Sequence, residues 1–370
     1  MSASATELTG SEIDMARAES ARIALENLVA TRCAHRPADG CGHHVAVPRH
    51  HPTLPLRVGT RGSPLALTQT RAFLAMLVRL CPGLREMDVF REQVIRTTGD
   101  AVQDRPLADI GGKGLFAKEI HEALADRRID LAVHSLKDLE TMLPPGIVLG
   151  CTLRREDPRD ALILGDECGA PDQADAAGDL YACLPHGALI STASIRRQAQ
   201  LLHARPDLRI AMLRGNVQSR LDKIRRGVCG ASLLALAGLR RLDLENEASL
   251  VLDPAVMVPA GCQGVVGITV REDATELRGL LKTIEDEASR YTATAERALL
   301  RTLDGSCRSP IGAYGQILSS GQLHLTGLVA RADGSFLLRR SLEGAAEDGR
   351  RLGAELARSL HADSPADIFA

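Results

Sequence analysis

Residues 129–138 of this chain read Ile129-Asp130-Leu131-Ala132-Val133-His134-Ser135-Leu136-Lys137-Asp138. Four of the first five residues are apolar, which is typical of a short strand buried on both faces of a parallel sheet. Ligands of open α/β sheets bind beyond the carboxyl ends of such strands. We therefore expect Lys137 and Asp138 at the mouth of a cleft. The alternative for a single strand is a solvated aspartate that opens the next turn.

The composition of the 370-residue chain allows two or three domains. Its 45 basic and 47 acidic residues leave a formal net charge of −2, which favours neither a nucleic-acid nor a membrane partner. Five Phe, three Tyr and no Trp provide few stacking platforms for single-stranded nucleic acid. We see no membrane-spanning run and no signal sequence. The nine scattered cysteines indicate reduced thiols, so we expect a cytoplasmic protein.

Residues 1–55 differ from the rest of the chain, and we predict a disordered N-terminal extension there. Five of the eleven histidines precede residue 52, and the cysteines and histidines between Cys33 and His44 have spacings that could hold zinc. We favour the disordered tail over a zinc site and predict no metal; an over-long gene start is a third alternative. The acidic residues of this segment argue against an organelle transit peptide.

Repeated strand–turn–helix units from Leu56 onward predict two α/β domains with a hinged cleft between them. A charged stretch at 154–160 and a Pro/Gly-rich stretch at 258–264 are the predicted crossings between the domains. From residue 284 on, a helix, three short strands and a final helix predict a small α+β domain. The predicted domains are residues 56–155 with 265–283, residues 156–264, and residues 284–370.

Arginine stands at the expected starts of several helices, where the positive end of the helix dipole disfavours a cation. Free helix N–H groups and arginine forks both bind carboxylates and phosphates. We infer a cleft for a ligand with several negative charges; solvated arginines on separate surfaces are the alternative. The arginines concerned are Arg61, Arg196, Arg197, Arg214, Arg220, Arg240 and Arg241.

Two further loops carry candidate chemistry. The glycine-rich loop around Lys113 is not a Walker motif, because Gly114 stands where a magnesium-binding Ser or Thr is needed. Lys113 is therefore either solvated or part of a substrate-gating loop. Cys307 lies in a Gly/Ser loop beside Arg308, where a thiol can be exposed and nucleophilic. A buried or idle thiol is the alternative there.

Several separated stretches of residues 56–370, in order and at matching spacing, resemble the porphobilinogen deaminase (hydroxymethylbilane synthase) family. The chain departs from the family pattern at Glu140, Ser191, Ala193, Gly230, Cys262 and Thr269. The matching stretches are Thr60-Arg61-Gly62-Ser63-Pro64-Leu65-Ala66-Leu67, Gly112-Lys113-Gly114-Leu115-Phe116, Ala132 to Asp138, Arg155-Glu156-Asp157-Pro158-Arg159-Asp160, Ile195-Arg196-Arg197-Gln198, Leu213-Arg214-Gly215-Asn216, and Gly305-Ser306-Cys307 with Pro310-Ile311-Gly312.

The resemblance implies two doubly wound α/β domains like those of periplasmic binding proteins, plus a small α+β domain that carries the cofactor cysteine. It implies a monomeric transferase of tetrapyrrole (porphyrin and heme) biosynthesis, whose substrate is porphobilinogen. Four porphobilinogens would be condensed head to tail with loss of ammonia, and water would release hydroxymethylbilane. A dipyrromethane cofactor, one per chain and made from two substrate molecules, would be held by a thioether to Cys307.

The resemblance also implies a role for each site residue. Asp138 would be catalytic, because a carboxylate can stabilise the cationic azafulvene left by deamination and accept hydrogen bonds from pyrrole N–H groups. Each pyrrole carries an acetate and a propionate, which would account for arginines at helix starts. The residues implied to hold cofactor and substrate are Arg61, Ser63, Lys113, Ser135, Lys137, Thr192, Ser194, Arg196, Arg197, Arg214, Gly215, Asn216 and Arg220.

Two other functions are compatible with a cleft rich in arginine. A non-catalytic binding protein for a polycarboxylate would use the same cleft, with no covalent group on Cys307. A nucleotide- or nucleic-acid-binding regulator would also use the arginines. The low aromatic content, the nearly neutral charge and the lack of a Walker or Rossmann fingerprint argue against the regulator.

Overall fold

The structure is a computed structural model that describes residues 19–20, 22–24, 55–80, 89–101, 114–166, 168, 181, 183–303 and 310–369. The predictions for Lys113 and Cys307, and nearly all of those for residues 1–55, lie outside the described residues. Among the described residues, no helix has both the length and the apolar character required to cross a membrane.

The strands and helices are numbered here in chain order. The strands are β1 (Leu56–Arg61), β2 (Phe90–Ile95), β3 (Leu131–Ser135), β4 (Ile147–Thr152), β5 (Asp160–Leu164), β6 (Leu189–Ser191), β7 (Arg209–Ala211), β8 (Ala231–Ala235), β9 (Leu250–Leu252), β10 (Val266–Arg271), β11 (Ile311–Ile317), β12 (Gln322–Ala330) and β13 (Leu337–Ala345). The helices are α1 (Pro64–Leu80), α2 (Thr98–Ala101), α3 (Lys118–Ala125), α4 (Ile195–Ala204), α5 (Val217–Arg225), α6 (Leu236–Arg240), α7 (Thr275–Thr283), α8 (Glu287–Thr302) and α9 (Gly349–Ala362).

Two five-stranded sheets repeat one arrangement. The first sheet has the order β2-β1-β3-β10-β4, and the second has the order β7-β6-β8-β5-β9. In each, the first three strands are parallel, and the fourth is antiparallel to both of its neighbours. The first four residues of β3 are buried, as the apolar run at its start predicts. The predicted α/β class with two sheet domains is therefore confirmed.

The chain crosses between these sheets twice. It leaves the first sheet after β4, forms β5 to β9 in the second sheet, and returns as β10 to lie between β3 and β4. The strand predicted after the Pro/Gly-rich stretch is thus observed, and it belongs to the first sheet. The residue limits proposed for the three domains stay a prediction.

The third sheet is antiparallel, in the order β11-β12-β13, and α8 and α9 pack against it. Its first two strands have the predicted limits, whereas β13 runs from Leu337 to Ala345 instead of residues 336–343. The final helix begins at Gly349 after a 3₁₀ turn at Ala346–Asp348. The small C-terminal α+β domain is therefore confirmed.

Helix capping follows the sequence at three starts. Ser63 Oγ accepts a hydrogen bond from Ala66 N, Ser194 caps α4, and Asn216 caps α5.

The prediction that Arg240 and Arg241 stand at the start of a helix is wrong for α6. This helix has only five residues, so Arg240 ends it and Arg241 follows, where the helix dipole favours a cation. Its arginines are therefore not electrostatic exceptions.

We predict opposite effects for the same substitution in two helices. A Cβ at Gly353 of α9 would lie 2.2 Å from the Ala295 carbonyl oxygen of α8, whereas a Cβ at Gly279 of α7 meets nothing within 4 Å. Gly353→Ala should cost about 1–3 kcal/mol of unfolding free energy through overpacking. Gly279→Ala should gain about 0.5–1 kcal/mol, because alanine favours helix. Urea unfolding of both variants checks this, and a stabilised Gly353→Ala would contradict the close helix packing.

Candidate active site

A cavity of about 780 Å³ lies between the first and second sheets. Its lining includes residues at or just after the carboxyl ends of β1 and β3 and of β6, β7 and β8. These are the positions where ligands bind to open α/β sheets, and the volume lies within the range of roughly 300–1,000 Å³ that is usual for small-molecule sites. The predicted cleft is therefore present, with both sheets contributing to it.

The charge of this cavity is strongly positive. Its lining contains two carboxylates, Asp100 and Asp138, against seven basic side chains. Such an excess favours a ligand with several negative charges, because guanidinium groups pair with carboxylates in a planar fork. The basic residues are Arg61, Arg96, Lys137, Arg197, Arg214, Arg220 and Arg241.

Asp138 lies where the sequence predicts it. It ends the 3₁₀ turn Leu136–Asp138 directly after β3, and its side chain is 35% exposed to the cavity. One carboxylate oxygen, Oδ2, lies 3.5 Å from Nη1 of Arg61. The carboxylate is therefore paired with Arg61 and keeps an accessible face on which a ligand can bind.

Arg61 is held on three sides. Its Nε donates to Asp100 Oδ2 at 3.1 Å, and its guanidinium lies 4.1 Å from the centre of the Phe116 ring. Burial opposes the charged form, but Asp100 and Asp138 outweigh it and raise the pKa of Arg61. Asp100 and Phe116 thus fix the guanidinium with its Nη1 edge toward Asp138.

Lys137 is exposed to the cavity, and its ammonium donates to Gln263 Oε1 at 3.2 Å. The cavity walls remove much of the hydration of this ammonium and lower the pKa of Lys137 to about 8; Asp138 opposes this effect and Arg197 adds to it. Lys137 is thus a cation at neutral pH, and it can lose its proton at moderately alkaline pH.

The second sheet supplies its groups from the start of α5. Nη2 of Arg214 donates to the Gly99 carbonyl at 3.3 Å, a contact that spans the cavity to the first sheet. Gly215 has a φ of +118°, and a Cβ there would lie 2.2 Å from Ser219 Oγ, so this position requires glycine. Asn216 accepts from Ser219 N at 2.9 Å and begins the helix.

Arg220 faces the cavity from the first turn of α5, and its Nε donates to the Gly215 carbonyl at 2.9 Å. Burial, together with the nearby Arg197 and Arg214, lowers the pKa of Arg220 to about 10. The guanidinium stays protonated at neutral pH, but these cations destabilise one another. A bound polyanion would relieve that repulsion.

A buried carboxylate anchors two of the predicted arginines. Asp160, fully buried, accepts from Arg196 Nη2 at 2.8 Å and from Arg197 Nη2 at 2.7 Å. Arg197 Nε donates as well, at 3.1 Å, and the amide of Gln263 adds a fourth hydrogen bond at 2.9 Å. Burial would raise the pKa of Asp160, but the two arginines hold it well below its usual range. This network joins the start of β5, the start of α4 and the second crossing.

The structure separates the predicted site residues into three groups. Those that line the cavity are Arg61, Ser63, Ser135, Lys137, Asp138, Arg197, Arg214, Gly215, Asn216 and Arg220. Three described residues lie outside the lining: Arg196 donates to Asp160 and to the Val258 carbonyl, Thr192 Oγ1 accepts from Ser194 N, and Ser194 caps α4. Lys113 and Cys307 lie outside the described residues. Every ligand-binding role stays a prediction.

Sequence reasoning missed several residues that shape the cavity. Arg241 is not among them, because it is one of the arginines that the sequence assigns to the cleft; its Nη2 donates to the Gly264 carbonyl at 2.7 Å. Asp100 and Phe116 fix Arg61, and Gln69 accepts from Ser135 Oγ at 3.0 Å. The charge of Arg96, which also lines the cavity, could have been noticed after β2. The partners of Arg61 and Ser135 carry no local signal, because the contacts are long-range.

The departures from the family pattern have partners in this structure. Oε1 of Glu140 lies 3.1 Å from His121 Nδ1, and Thr269 Oγ1 lies 2.8 Å from His134 Nε2. Burial, then His121 and Arg61, lower the pKa of His134 to about 3, so this ring is neutral. Cys262 has a φ of +62°, a conformation that glycine adopts more easily.

We predict that Asp160→Asn will be strongly destabilising. The substitution leaves two buried guanidiniums without their carboxylate, and breaking such a pair typically costs about 3–5 kcal/mol of unfolding free energy. Asp222→Asn is the matched control, because Asp222 is half exposed and its ion pair with Arg225, at 3.3 Å, is worth less than about 1 kcal/mol. Equal urea midpoints for the two variants would disprove the anchoring role of Asp160.

Family comparisons agree with this architecture. Residues 56–279 match the family model described as "Porphobilinogen deaminase, dipyromethane cofactor binding domain", and residues 290–362 match "Porphobilinogen deaminase, C-terminal domain". Among solved structures, the periplasmic VFT2 domain of Bordetella pertussis BvgS is similar over 62% of this chain and 86% of that chain, at 15% identity. Its TM-score of 0.35 is too low to carry an argument.

Curated relatives cover most of the chain. The porphobilinogen deaminase of Paracoccus denitrificans is 44% identical over 318 residues, which is 86% of this chain and 97% of the relative. That of Sorangium cellulosum is 45% identical over 309 residues, 82% of this chain and 98% of the relative. The chloroplastic enzyme of Oryza sativa subsp. japonica is 44% identical and covers 78% of each chain. With both domain models matched and a basic cleft built around Asp138, this chain belongs to the porphobilinogen deaminase family.

Proposed function

We propose that this protein is a hydroxymethylbilane synthase, a transferase that condenses four porphobilinogen molecules head to tail with loss of ammonia. The observation that carries the proposal is the accessible Asp138 carboxylate, 3.5 Å from Arg61, in a cavity with seven basic side chains. In a site whose other charged groups mostly bind anions, a carboxylate can stabilise a cation that forms during the reaction.

The described residues fit a covalent dipyrromethane. This cofactor carries an acetate and a propionate on each of its two rings, and the cavity offers basic groups from both sheets to pair with them. When bound, the cofactor supplies the pyrrole end to which substrate is added. We propose Cys307 as its attachment point, with Arg61, Lys137, Arg197, Arg214 and Arg220 as the carboxylate-binding groups.

Asp138 would act on the substrate. Loss of ammonia from porphobilinogen leaves a cationic azafulvene, and the ionised carboxylate stabilises that charge as it develops. The same oxygens can accept a hydrogen bond from a pyrrole N–H. Arg61 keeps Asp138 oriented, because Asp100 and Phe116 fix the guanidinium from the other side.

The predicted residues outside the lining are assigned indirect roles. Arg196 shares Asp160 with Arg197, so it would help to hold Arg197 at the cavity wall. Thr192 and Ser194 shape the turn from which α4 begins, and thereby place the same arginine. We further propose that Ser63, Ser135, Gly215 and Asn216 contact ligand directly, and that Lys113 belongs to the gating loop.

We propose that the protein works as a monomer in the cytoplasm, with porphobilinogen as its small-molecule partner and without a nucleic-acid or membrane partner. Its 45 basic and 47 acidic residues nearly balance, which supports the absence of a nucleic-acid or membrane partner. Seven basic side chains line the cleft, where they would face a small ligand and not an extended surface.

The intact mass of the purified protein tests the function. We expect an adduct equal to two porphobilinogens less two ammonias, absent from Cys307→Ser and retained in the control Cys168→Ser. Bare-chain mass in the wild-type protein, even after incubation with porphobilinogen, would contradict the proposal and favour a non-catalytic polycarboxylate-binding protein.

Substitution of Asp138 tests the chemistry. Asp138→Asn keeps the shape of the side chain but removes its charge, so kcat should fall about 100- to 1,000-fold, as for the loss of one electrostatic group at a reacting centre. Asp222→Asn should keep wild-type kcat. Circular dichroism checks that both variants are folded. A folded Asp138→Asn with wild-type kcat would contradict the catalytic role of Asp138.

The pKa of Lys137 predicts a pH dependence. Because loss of hydration within the cleft lowers this pKa to about 8, the ammonium loses its charge as the pH rises through that value, and the attraction for substrate carboxylates weakens. We expect kcat/KM, which reports the free enzyme, to decline above about pH 8. Lys137→Arg stays charged and should shift the decline to higher pH. An unchanged profile would assign the decline to another group.

A further inference from the structure

A second cavity, of about 610 Å³, lies outside the active-site cleft. It is bounded by α8 and α9 of the third-sheet domain and by residues of the first-sheet domain between Thr141 and Thr152. Three arginines of α8 face it, Arg290, Arg297 and Arg301, and α9 adds Arg350. The four arginines share this lining with one carboxylate, that of Glu285.

Most of this positive charge has no carboxylate partner in the described part of the chain. Arg290 is paired, with Glu285 at 3.5 Å and Glu287 at 3.4 Å. Among the described residues, Arg297, Arg301 and Arg350 have no carboxylate within ion-pair distance. The guanidinium of Arg297 instead donates to the backbone carbonyls of the segment that follows Asp138.

A buried hydroxyl in the cavity lining provides an independent observation. Thr152 is 1% exposed and lines this cavity, and its Oγ1 has no hydrogen-bond partner among the described residues. Buried hydroxyls are normally paired, so this one has a hydrogen bond left to make, which a ligand can supply when the Thr152 side chain turns toward the cavity. The accessible hydrogen-bond donors of this space are the guanidiniums.

The walls between the charged groups are apolar, made by Leu149, Ala293, Ala298 and Ala354. The volume lies within the usual range for small organic ligands, roughly 300–1,000 Å³, and is far larger than a single inorganic anion needs. We propose that this cavity is a second binding site, for a small organic polycarboxylate whose apolar body contacts these walls while its carboxylates pair with Arg301, Arg350 and Arg297.

The site is linked to the active-site cleft through Arg297. Nη2 of Arg297 donates to the carbonyls of Glu140 at 2.8 Å and Thr141 at 3.2 Å, just after Asp138 in the chain. A ligand carboxylate that takes a hydrogen bond from Arg297 competes with these carbonyls. Occupancy therefore changes the protection of the backbone around residues 139–142, without contact between the ligand and Asp138.

Residue-resolved arginine modification of the full-length wild-type protein tests the site without an activity assay. The protein is treated with phenylglyoxal, with and without tricarballylate, and each adduct is located by mass spectrometry. We expect tricarballylate to slow modification of Arg301 and Arg350 at least fivefold, and to leave the exposed control residues Arg91 and Arg278 unchanged. Equal rates at all four arginines would overturn the proposal. Equal protection by inorganic phosphate at the same concentration would also overturn it, since the site would then bind any anion.

Hydrogen exchange of two charge-matched variants tests the link. In the wild-type protein and in Arg91→Gln/Arg278→Gln, tricarballylate should change exchange in residues 139–142. Arg301→Gln/Arg350→Gln should show no such change, although its basal kcat should equal that of wild type because neither arginine lines the cleft. A ligand-induced change that persists in this variant would place the tricarballylate elsewhere and refute the site.

Discussion

The arrangement of the three sheets depends on one buried carboxylate. Glu296 of α8 is completely buried and accepts hydrogen bonds from Arg155, from the backbone N–H of Cys262, and from the N–H of Gly315 at 2.6 Å. Arg155 lies on the first crossing between the sheets, Cys262 on the second, and Gly315 on β11. An uncompensated charge in this position would be very costly, so these partners must be assembled together. The two crossings are thereby attached to the third-sheet domain beside the cleft.

The cleft differs from the Glu296 site, because most of its charged side chains are cations. Arg197 and Arg61 are compensated by carboxylates, Asp160 and Asp100 respectively, which hold them at the wall. Arg220 and Lys137 are less well compensated, and loss of hydration within the cleft lowers the pKa of both. An excess of positive charge therefore remains for a polyanionic ligand. Asp138 is one of two carboxylates in this otherwise basic lining, and its catalytic use is part of the proposed function.

Local pattern predicted much of this architecture. The apolar run at Leu131–Val133 predicts a buried strand, and the limits of β11 and β12 agree with the predicted ones, because alternating side chains and tight turns are local properties. The error at α6 has a local cause as well: the strand before it ends at Ala235, and a helix of one turn has little periodicity to detect. The role of Asp100 could not be predicted, since its partner Arg61 is 39 residues away in the chain.

The sequence by itself determined the α/β class, the two crossings, the position of Asp138 at a strand end and the family, because each is indicated by short local motifs and their order along the chain. Only the tertiary structure decided which arginines line the cavity. Arg196 and Arg197 are neighbours in sequence, yet only Arg197 lines the cavity, because successive residues of a helix point about 100° apart. It also decided which charges are compensated, since the partners Asp160, Glu296 and Gln263 reach their sites only when distant segments pack together.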